Sequence, residues 1–265
     1  MSMATLPNGM QVAEINSYET KFLYDEIFER ETYAQFDLDI PPGGIVLDVG
    51  ANIGMFSLYV LGKYPGSRSV CIEPAPHCLE RLRPNLAGFG DRVQIAPVAL
   101  GDSGRTVEFS YYPNYSIISG MFADEGQDLS TLRAGAKTQY EERFGVAPSE
   151  RELDFLVGSK LADRQTFDCE MITMSELLEQ QGISEVALAK IDVERAEGLV
   201  LAGVNAADWN KIRQFVVEVH DQGAGEHNQM VDLFVEHGYD VELFTDPQMK
   251  NSDIYVVSAK RSQSA

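Results

Sequence analysis

The sequence predicts an α/β fold on an open, mostly parallel sheet, and three observations carry that reading. Short apolar runs end in an acid at Ile45–Asp48, Val70–Glu73 and Val186–Asp192, the pattern of strands covered on both faces. Helical stretches separate such runs, and the 73 − 48 = 25 residues from Asp48 to Glu73 suffice for one strand–helix–strand crossover. The last two runs, Val241–Thr245 and Asp253–Ala259, flank Asp246-Pro247 closely enough to pair antiparallel. A length of 265 residues suits one large domain with an appendage: an arm over 1–39 and a main domain over 40–265.

In the arm, Asn8-Gly9 between short extended runs marks a hairpin. Asn16 with Glu19 three residues on marks a helix start. Leu23 with Ile27 and Tyr24 with Phe28 then give an amphipathic helix over Glu19–Glu31, either a patch on the core or a lid over a site. The main domain begins near Ile40. Ile45–Asp48 is bounded by Pro41-Pro42-Gly43-Gly44 and by Gly50, and Gly50 and Gly54 bracket a tight turn into a helix over Met55–Lys63. A strand over Val70–Glu73, a helix over Pro76–Ala87 kinked or ended by Pro84, and a third strand over Val93–Leu100 follow.

Arg105–Tyr112 alternates as a strand, and then Tyr111–Gln165 interrupts the pattern with helical stretches at Asp128–Phe144 and Ser149–Leu161. Connections this long in compact domains are functional or disordered. Leu153, Leu156 and Leu161 predict a folded insertion that selects substrate, with a peripheral decoration or dimer contact as the plainer reading. The alternation resumes with a core strand at Thr166–Met171, a helix at Met174–Gln181, strand Val186–Asp192, helix Glu197–Ala202, strand Ile212–His220 and helix Gln229–His237 stopped by Gly238.

Composition removes several classes of function. The net charge is 21 − 41 = −20, which repels phosphate backbones and argues against nucleic acid as a partner. No apolar run is long enough to span a membrane, and Met1–Gln11 lacks the pattern of a secretory signal. Cys71, Cys78 and Cys169 are odd in number and suggest no disulfide framework, so the expected compartment is the cytoplasm.

Ligands of open α/β sheets sit at the carboxyl ends of the strands. That edge carries Asp48 with the Gly-x-x-x-Gly turn, then Glu73, whose two oxygens can bond a ribose diol, then Lys190 with Asp192, and Glu218 with His220. The turn fits neither the nicotinamide fingerprint nor a phosphate-binding loop. The stretches Asp48-Val49-Gly50-Ala51-Asn52-Ile53-Gly54, Glu73-Pro74, Ala99-Leu100-Gly101-Asp102 and Lys190-Ile191-Asp192-Val193-Glu194 with Ala196-Glu197, in this order, resemble the FkbM family of S-adenosylmethionine (SAM)-dependent methyltransferases. The resemblance covers roughly Pro41–Lys260, and ETKFLYDEIFERETY at Glu19–Tyr33 resembles the N-terminal helix of family members from polyketide and nonribosomal peptide pathways.

The resemblance implies a doubly wound, Rossmann-like class I methyltransferase fold with a seven-stranded sheet and an antiparallel last strand. It implies SAM as donor, held by Asp48, Gly50, Asn52, Gly54, Glu73, Pro74 and Asp192, with Val98, Ala99 and Leu100 beside the adenine. The expected reaction is O-methylation of a small molecule, free or bound to a carrier protein; N-methylation or a SAM-binding interaction protein without catalysis are the alternatives. A homodimer is compatible with either. An alcohol must lose its proton, which makes His220 the expected base, oriented by Glu218, Asp192 or Glu194. The same residues lack the short spacing of a metal motif, so no metal is expected. One departure is Arg195, where the family pattern commonly has Gly; it puts the local turn in doubt and sets a cation near the expected substrate mouth.

Overall fold

The chain opens with the hairpin β1 (Ser2–Thr5) and β2 (Gln11–Glu14), turned at Asn8-Gly9 as expected. Helix α1 (Ser17–Tyr24) follows, its start fixed by the Asn16 side chain, which accepts from Glu19 N at 2.9 Å. It passes into one π-helical turn at Asp25–Glu29 rather than running on as α-helix. Such turns often mark functional sites. The computed structural model describes residues 1–123, 125–221, 223–245 and 253–262, so the Asp246-Pro247 turn and the tail beyond Ser262 lie outside the described residues.

The domain then alternates: β3 (Ile45–Val49), α2 (Met55–Lys63), β4 (Arg68–Ile72), α3 (Pro76–Leu86) and β5 (Val93–Ala96). The expected third strand, Val93–Leu100, is in fact two. Pro97 has no N–H to continue the ladder, so the chain leaves the main sheet after Ala96, and β6 (Ala99–Leu100) pairs elsewhere. Its sheet also contains β7 (Arg105–Tyr111) and β8 (Gln165–Ile172), in the order β6-β8-β7. The strand at Thr166–Met171 therefore belongs to this small second sheet and not to the main one. The reason shows in its burial: its first half is largely solvated and only its last residues enter the core.

Between β7 and β8 rise α4 (Glu125–Phe144) and α5 (Glu150–Leu161), packed on each other. The insertion is folded, with a small core of its own that includes Tyr112, Tyr115, Ile118, Leu132, Leu153 and Val157. Leu156 is not in that core but exposed. A capping box of Ser149 and Glu152 starts α5.

After β8 come α6 (Met174–Gln180), β9 (Leu188–Ile191), α7 (Glu197–Ala202), β10 (Gln214–His220), α8 (Glu226–Glu236), β11 (Tyr239–Phe244) and β12 (Ile254–Arg261). The main sheet has seven strands in the order β11-β12-β10-β9-β3-β4-β5. Strand β12 runs antiparallel to both neighbours and the central strands run parallel. The order reverses between β3 and β9, the switch point where doubly wound sheets bind ligands. Successive residues serve opposite faces: Val46, Cys71, Leu188 and Val216 join the core beneath α2, α3 and the arm, whereas Leu47, Ile72, Ala189 and Val217 join the core beneath α6, α7 and α8. All seven residues of β10 are buried, as a strand covered on both faces requires.

Candidate active site

One cavity of about 1500 Å³, its open mouth included, lies over the switch point. Its floor is the carboxyl edge of β3, β4, β9 and β10. The π-turn of the arm, the 3-10 turn Ser116–Ile118 and the insertion form its walls.

At one end, the turn after β3 is held by main-chain hydrogen bonds. Gly50 N and Ala51 N both donate to Ile72 O, at 3.0 Å each. Asn52 takes a left-handed conformation (φ 49°), and its N–H donates to Glu73 Oε2 at 2.8 Å, while Ala75 N donates to Glu73 Oε1 at 2.8 Å. Burial nonetheless pushes the Glu73 carboxyl up to about 7, because these two donors offset only part of the lost hydration. Pro74, Val98, Ala99 and Leu100 continue this wall.

Gly50, Asn52, Glu73, Pro74, Ala99, Leu100 and Asp192 of the expected cofactor residues line the cavity; Asp48 and Gly54 do not. Asp48 is fully buried one layer below. Its Oδ2 accepts from Ser57 Oγ at 2.6 Å, its Oδ1 has no hydrogen-bond partner among the described residues and lies 3.8 Å from Lys190 Nζ, and burial raises its pKa. Gly54 (φ 88°) starts α2, and a Cβ there would press on Leu86 of α3 at 3.2 Å. Their places are thus structural, under the turn and against the next helix. Gly50 (φ 77°) is constrained harder still: a Cβ would lie 1.8 Å from Asp192 O, so the turns after β3 and β9 can touch only with glycine here.

At the other end, four side chains expected for catalysis meet. Alternation on β9 and β10 could have aimed Lys190–Asp192 and Glu218–His220 either way, and both pairs reach the cavity. His220 Nδ1 lies 2.8 Å from Glu197 Oε1, and Nε2 lies 3.3 Å from Glu194 Oε2 and 3.8 Å from Glu218 Oε1. Burial opposes a charged ring, but Glu194, Glu197 and Glu218 outweigh it and hold the pKa well above the ordinary histidine value. These carboxylates favour the charged ring, whose nitrogens have no free lone pair for a substrate proton, which tells against the expected histidine base. Burial raises Glu194 to about 7 despite the attraction of His220, and raises Glu218 well above its usual range.

Residues beyond those expected for catalysis complete this end. Tyr33, from the arm, donates to Glu218 Oε2 at 2.9 Å and reaches Asp192 Oδ2 at 3.2 Å. Lys190 Nζ contacts Asp192 Oδ2 at 3.0 Å and lies 5.3 Å from the centre of the Tyr33 ring. Burial disfavours its charge, yet Asp192 and Asp48 leave its pKa raised. Glu26 joins the lining from the π-turn. Glu19 is bonded by Ser116 N at 2.9 Å and Ser116 Oγ at 2.6 Å, and Ser116 Oγ accepts from Asn52 Nδ2 at 2.9 Å. The arm, the glycine turn and the base of the insertion are thus joined in one chain of bonds. The only sequence signal for Tyr33 was its place at the end of the arm segment; Glu19 was read only as part of the helix start, and Glu26 only as one residue of the arm helix.

Arg195 does not enter the cavity. It keeps the left-handed backbone that glycine would favour (φ 68°), following Glu194 at φ 46°, and its N–H donates to Glu197 Oε1 at 3.0 Å. Its guanidinium turns outward to Phe122 O. The other histidines lie outside the site: His77 stacks on Tyr111, while half-buried His227 and His237 stack on Tyr255 and Trp209. Among the described residues no helix is long and apolar enough to cross a membrane.

The family described as the methyltransferase FkbM domain matches residues 48–241. The chain is 34% identical to the 31-O-demethyl-FK506 methyltransferase FkbM of Streptomyces tacrolimicus, over 97% of this chain and 96% of that one. It is 36% identical to part of the AMB antimetabolite synthetase AmbE of Pseudomonas aeruginosa, over 97% of this chain but only 12% of that much longer protein. Identity to the methyltransferase sdnD of Sordaria araneosa is 32%, over 86% and 85% of the two chains. Among solved structures, a methyltransferase FkbM from Methylobacillus flagellatus shares the fold with a TM-score of 0.52 at 13% identity, over 89% of this chain and 47% of that one. The Rossmann-like sheet, the motif-bearing turn and these relatives agree: this chain is a methyltransferase and belongs to the FkbM family.

Proposed function

We propose that the chain binds SAM at the glycine-turn end of the cavity and methylates a hydroxyl of a small secondary-metabolite intermediate, free or carried on a carrier protein. The observation that carries the reading is the continuity of the cavity from Glu73 to the Glu194–His220–Glu218 cluster. The residues present fit the cofactor. Each Glu73 oxygen has one backbone donor and retains acceptor capacity for a ribose hydroxyl, and Val98, Ala99 and Leu100 offer an apolar wall to a flat base. Carboxylates of Glu26, Asp192, Glu194 and Glu218 suit a cation. SAM, when bound, supplies an electrophilic methyl group on a sulfonium.

The remaining chemistry belongs to the chain. The arm and the insertion enclose the cavity, exclude water and align the acceptor, which supplies much of the acceleration in an in-line transfer. The acceptor hydroxyl has to lose a proton, and Glu194 is the group suited to take it. It lines the cavity, its pKa of about 7 matches the working pH, and the His220 cation 3.3 Å away stabilises its ionised form. Glu197 fixes the ring from behind. The FK506 relative, named for an acceptor that lacks an O-methyl group, supports oxygen as the target. Calorimetry with S-adenosylhomocysteine tests the cofactor half, and transfer from ¹³C-methyl SAM, with the product methyl assigned by NMR, tests the other. Micromolar or tighter binding and an O-methyl product are expected; no binding, or an N-methyl product, would overturn the respective half.

A further inference from the structure

Lys160, near the end of α5, projects from the insertion into the same cavity. Its ammonium lies 4.1 Å from the centre of the Tyr115 ring and 4.4 Å from that of Tyr18, and donates to Tyr18 Oη at 3.2 Å. Three elements far apart in sequence thus converge on one cation: the arm, the loop after β7 and the insertion. Among the described residues no carboxylate lies within ion-pair distance of it. Its nearest carboxylate influence is Glu19, whose oxygens are already bonded by Ser116 and Asn16. An ammonium has three donors, and one is accounted for. Burial lowers its pKa to about 8, so it is still mainly charged at neutral pH.

The position makes this charge useful. The floor of the cavity is rich in carboxylates, which repel an anion, whereas Lys160 is a cation on the insertion side with donors to spare. The two rings hold it in place by cation–π attraction while leaving it hydrogen-bonding capacity. Resting on the reading of the cavity as the acceptor pocket, we propose that Lys160, clamped by Tyr18 and Tyr115, binds an anionic oxygen group of the acceptor and so selects acidic acceptors and sets their orientation, hydroxyl toward Glu194. The anion could be a carboxylate on the acceptor itself or the phosphate of a phosphopantetheine tether; both present oxygens of the same chemistry to an ammonium.

The test is binding, by calorimetry, of two matched pairs of probes to protein saturated with S-adenosylhomocysteine: 10-hydroxydecanoate against its methyl ester, and 4′-phosphopantetheine against pantetheine. In wild type the anionic member of one pair should bind about 10- to 100-fold more tightly, the range expected of one charge-assisted hydrogen bond. Lys160→Met should abolish that preference and Lys160→Arg should restore most of it. A preference within the first pair assigns a carboxylate on the acceptor, and within the second a tethering phosphate. Equal affinity within both pairs, or a preference that survives in Lys160→Met, overturns the proposal. Binding of S-adenosylhomocysteine is measured first in each variant, so loss of the cofactor site or of the fold is seen separately from loss of anion recognition.

Discussion

At the glycine-turn end of the cavity, Glu73 is held by backbone donors 2 and 21 residues away, whereas at the acceptor end Tyr33 reaches Asp192 and Glu218 across 159 and 185 residues. The first end is made mostly of main chain: a turn with fixed dihedrals, N–H groups on a carboxylate, apolar residues at a strand exit. The second is made of side chains from the arm, β9, β10 and the insertion, which tune each other by charge. On the proposed reading only the donor is recognised at the main-chain end, which can then serve any acceptor. The side-chain end is where members of a fold family can diverge.

The two ends are coupled physically through Gly50, and the largest effect expected here comes from breaking that contact. Gly50→Ala combines a left-handed φ with a Cβ 1.8 Å from Asp192 O, so backbone must move. Strain and overpacking together should cost at least ~3 kcal/mol, read as a shift in the urea midpoint. A variant within 1 kcal/mol of wild type, a bound set by the usual scatter of surface changes of about 0.5 kcal/mol, would mean that the two turns can separate at little cost and that the ends are independent.

Glu194→Gln separates them chemically. Turnover should fall about 10²- to 10³-fold while S-adenosylhomocysteine binds as before. The wild-type rate should rise with pH through about 7, as Glu194 ionises, and the variant should lose that limb. Stability offers a second check. The folded pKa of Glu194 is raised above that of an ordinary Glu, so its contribution is fully present at low pH and is lost as pH rises toward and through about 7. Glu194→Gln should therefore gain stability relative to wild type as pH increases, most clearly at pH above 7. A rate limb that persists in Glu194→Gln would return the base to another group of the cluster.

The contrast between the ends also explains what could be read beforehand. The order of strands and helices, the hairpin, the Asn16 cap and the folded insertion were legible because each depends on local pattern. Of the residues that line the cavity, Glu73 was legible as an acid at a strand end, and Asn52 and Ala99–Leu100 only through the family resemblance. Asp48 and Gly54 carry the motif as strongly but face inward, since a motif records that a residue is needed and not which side of the turn needs it. The split at Pro97 was written in the sequence and needed only the missing N–H to be weighed against the apolar run. His220 was placed correctly at the strand end, but its protonation depends on Glu194, Glu197 and Glu218 converging from separate elements. Tyr33 and Lys160 had no local signal, because their meaning comes from what they touch.

A smaller effect is expected at the main-chain end. Glu73→Gln turns one oxygen into a donor, which opposes either Asn52 N–H or Ala75 N–H and weakens the grip on a diol. At pH 8 the affinity for S-adenosylhomocysteine should fall by about 1–3 kcal/mol. The loss should shrink below pH 7, where the wild-type carboxyl, raised to about 7, is itself protonated. Undiminished affinity at pH 8 would place the ribose elsewhere.

The smallest effect should come from Tyr33→Phe, and its size decides whether the acceptor end depends on Tyr33 for chemistry or for position. Burial and the neighbouring carboxylates keep the Tyr33 hydroxyl well above its ordinary pKa, so it donates and cannot serve as a base. Removing it deletes the bonds to Glu218 and Asp192 but leaves the ring, which packs on Phe56 with centres 5.6 Å apart and faces the Lys190 ammonium. Stability should fall by about 1 kcal/mol, the net value of a buried hydrogen bond. Glu218, deprived of a donor to its ionised form, should titrate higher still. Turnover should drop by less than about tenfold, with the pH limb of Glu194 kept, because a displaced Glu218 disturbs alignment more than proton transfer. A loss as large as that of Glu194→Gln, with the pH limb abolished, would show instead that the proton leaves through Tyr33 and Glu218, and the arm would then belong to the reacting centre.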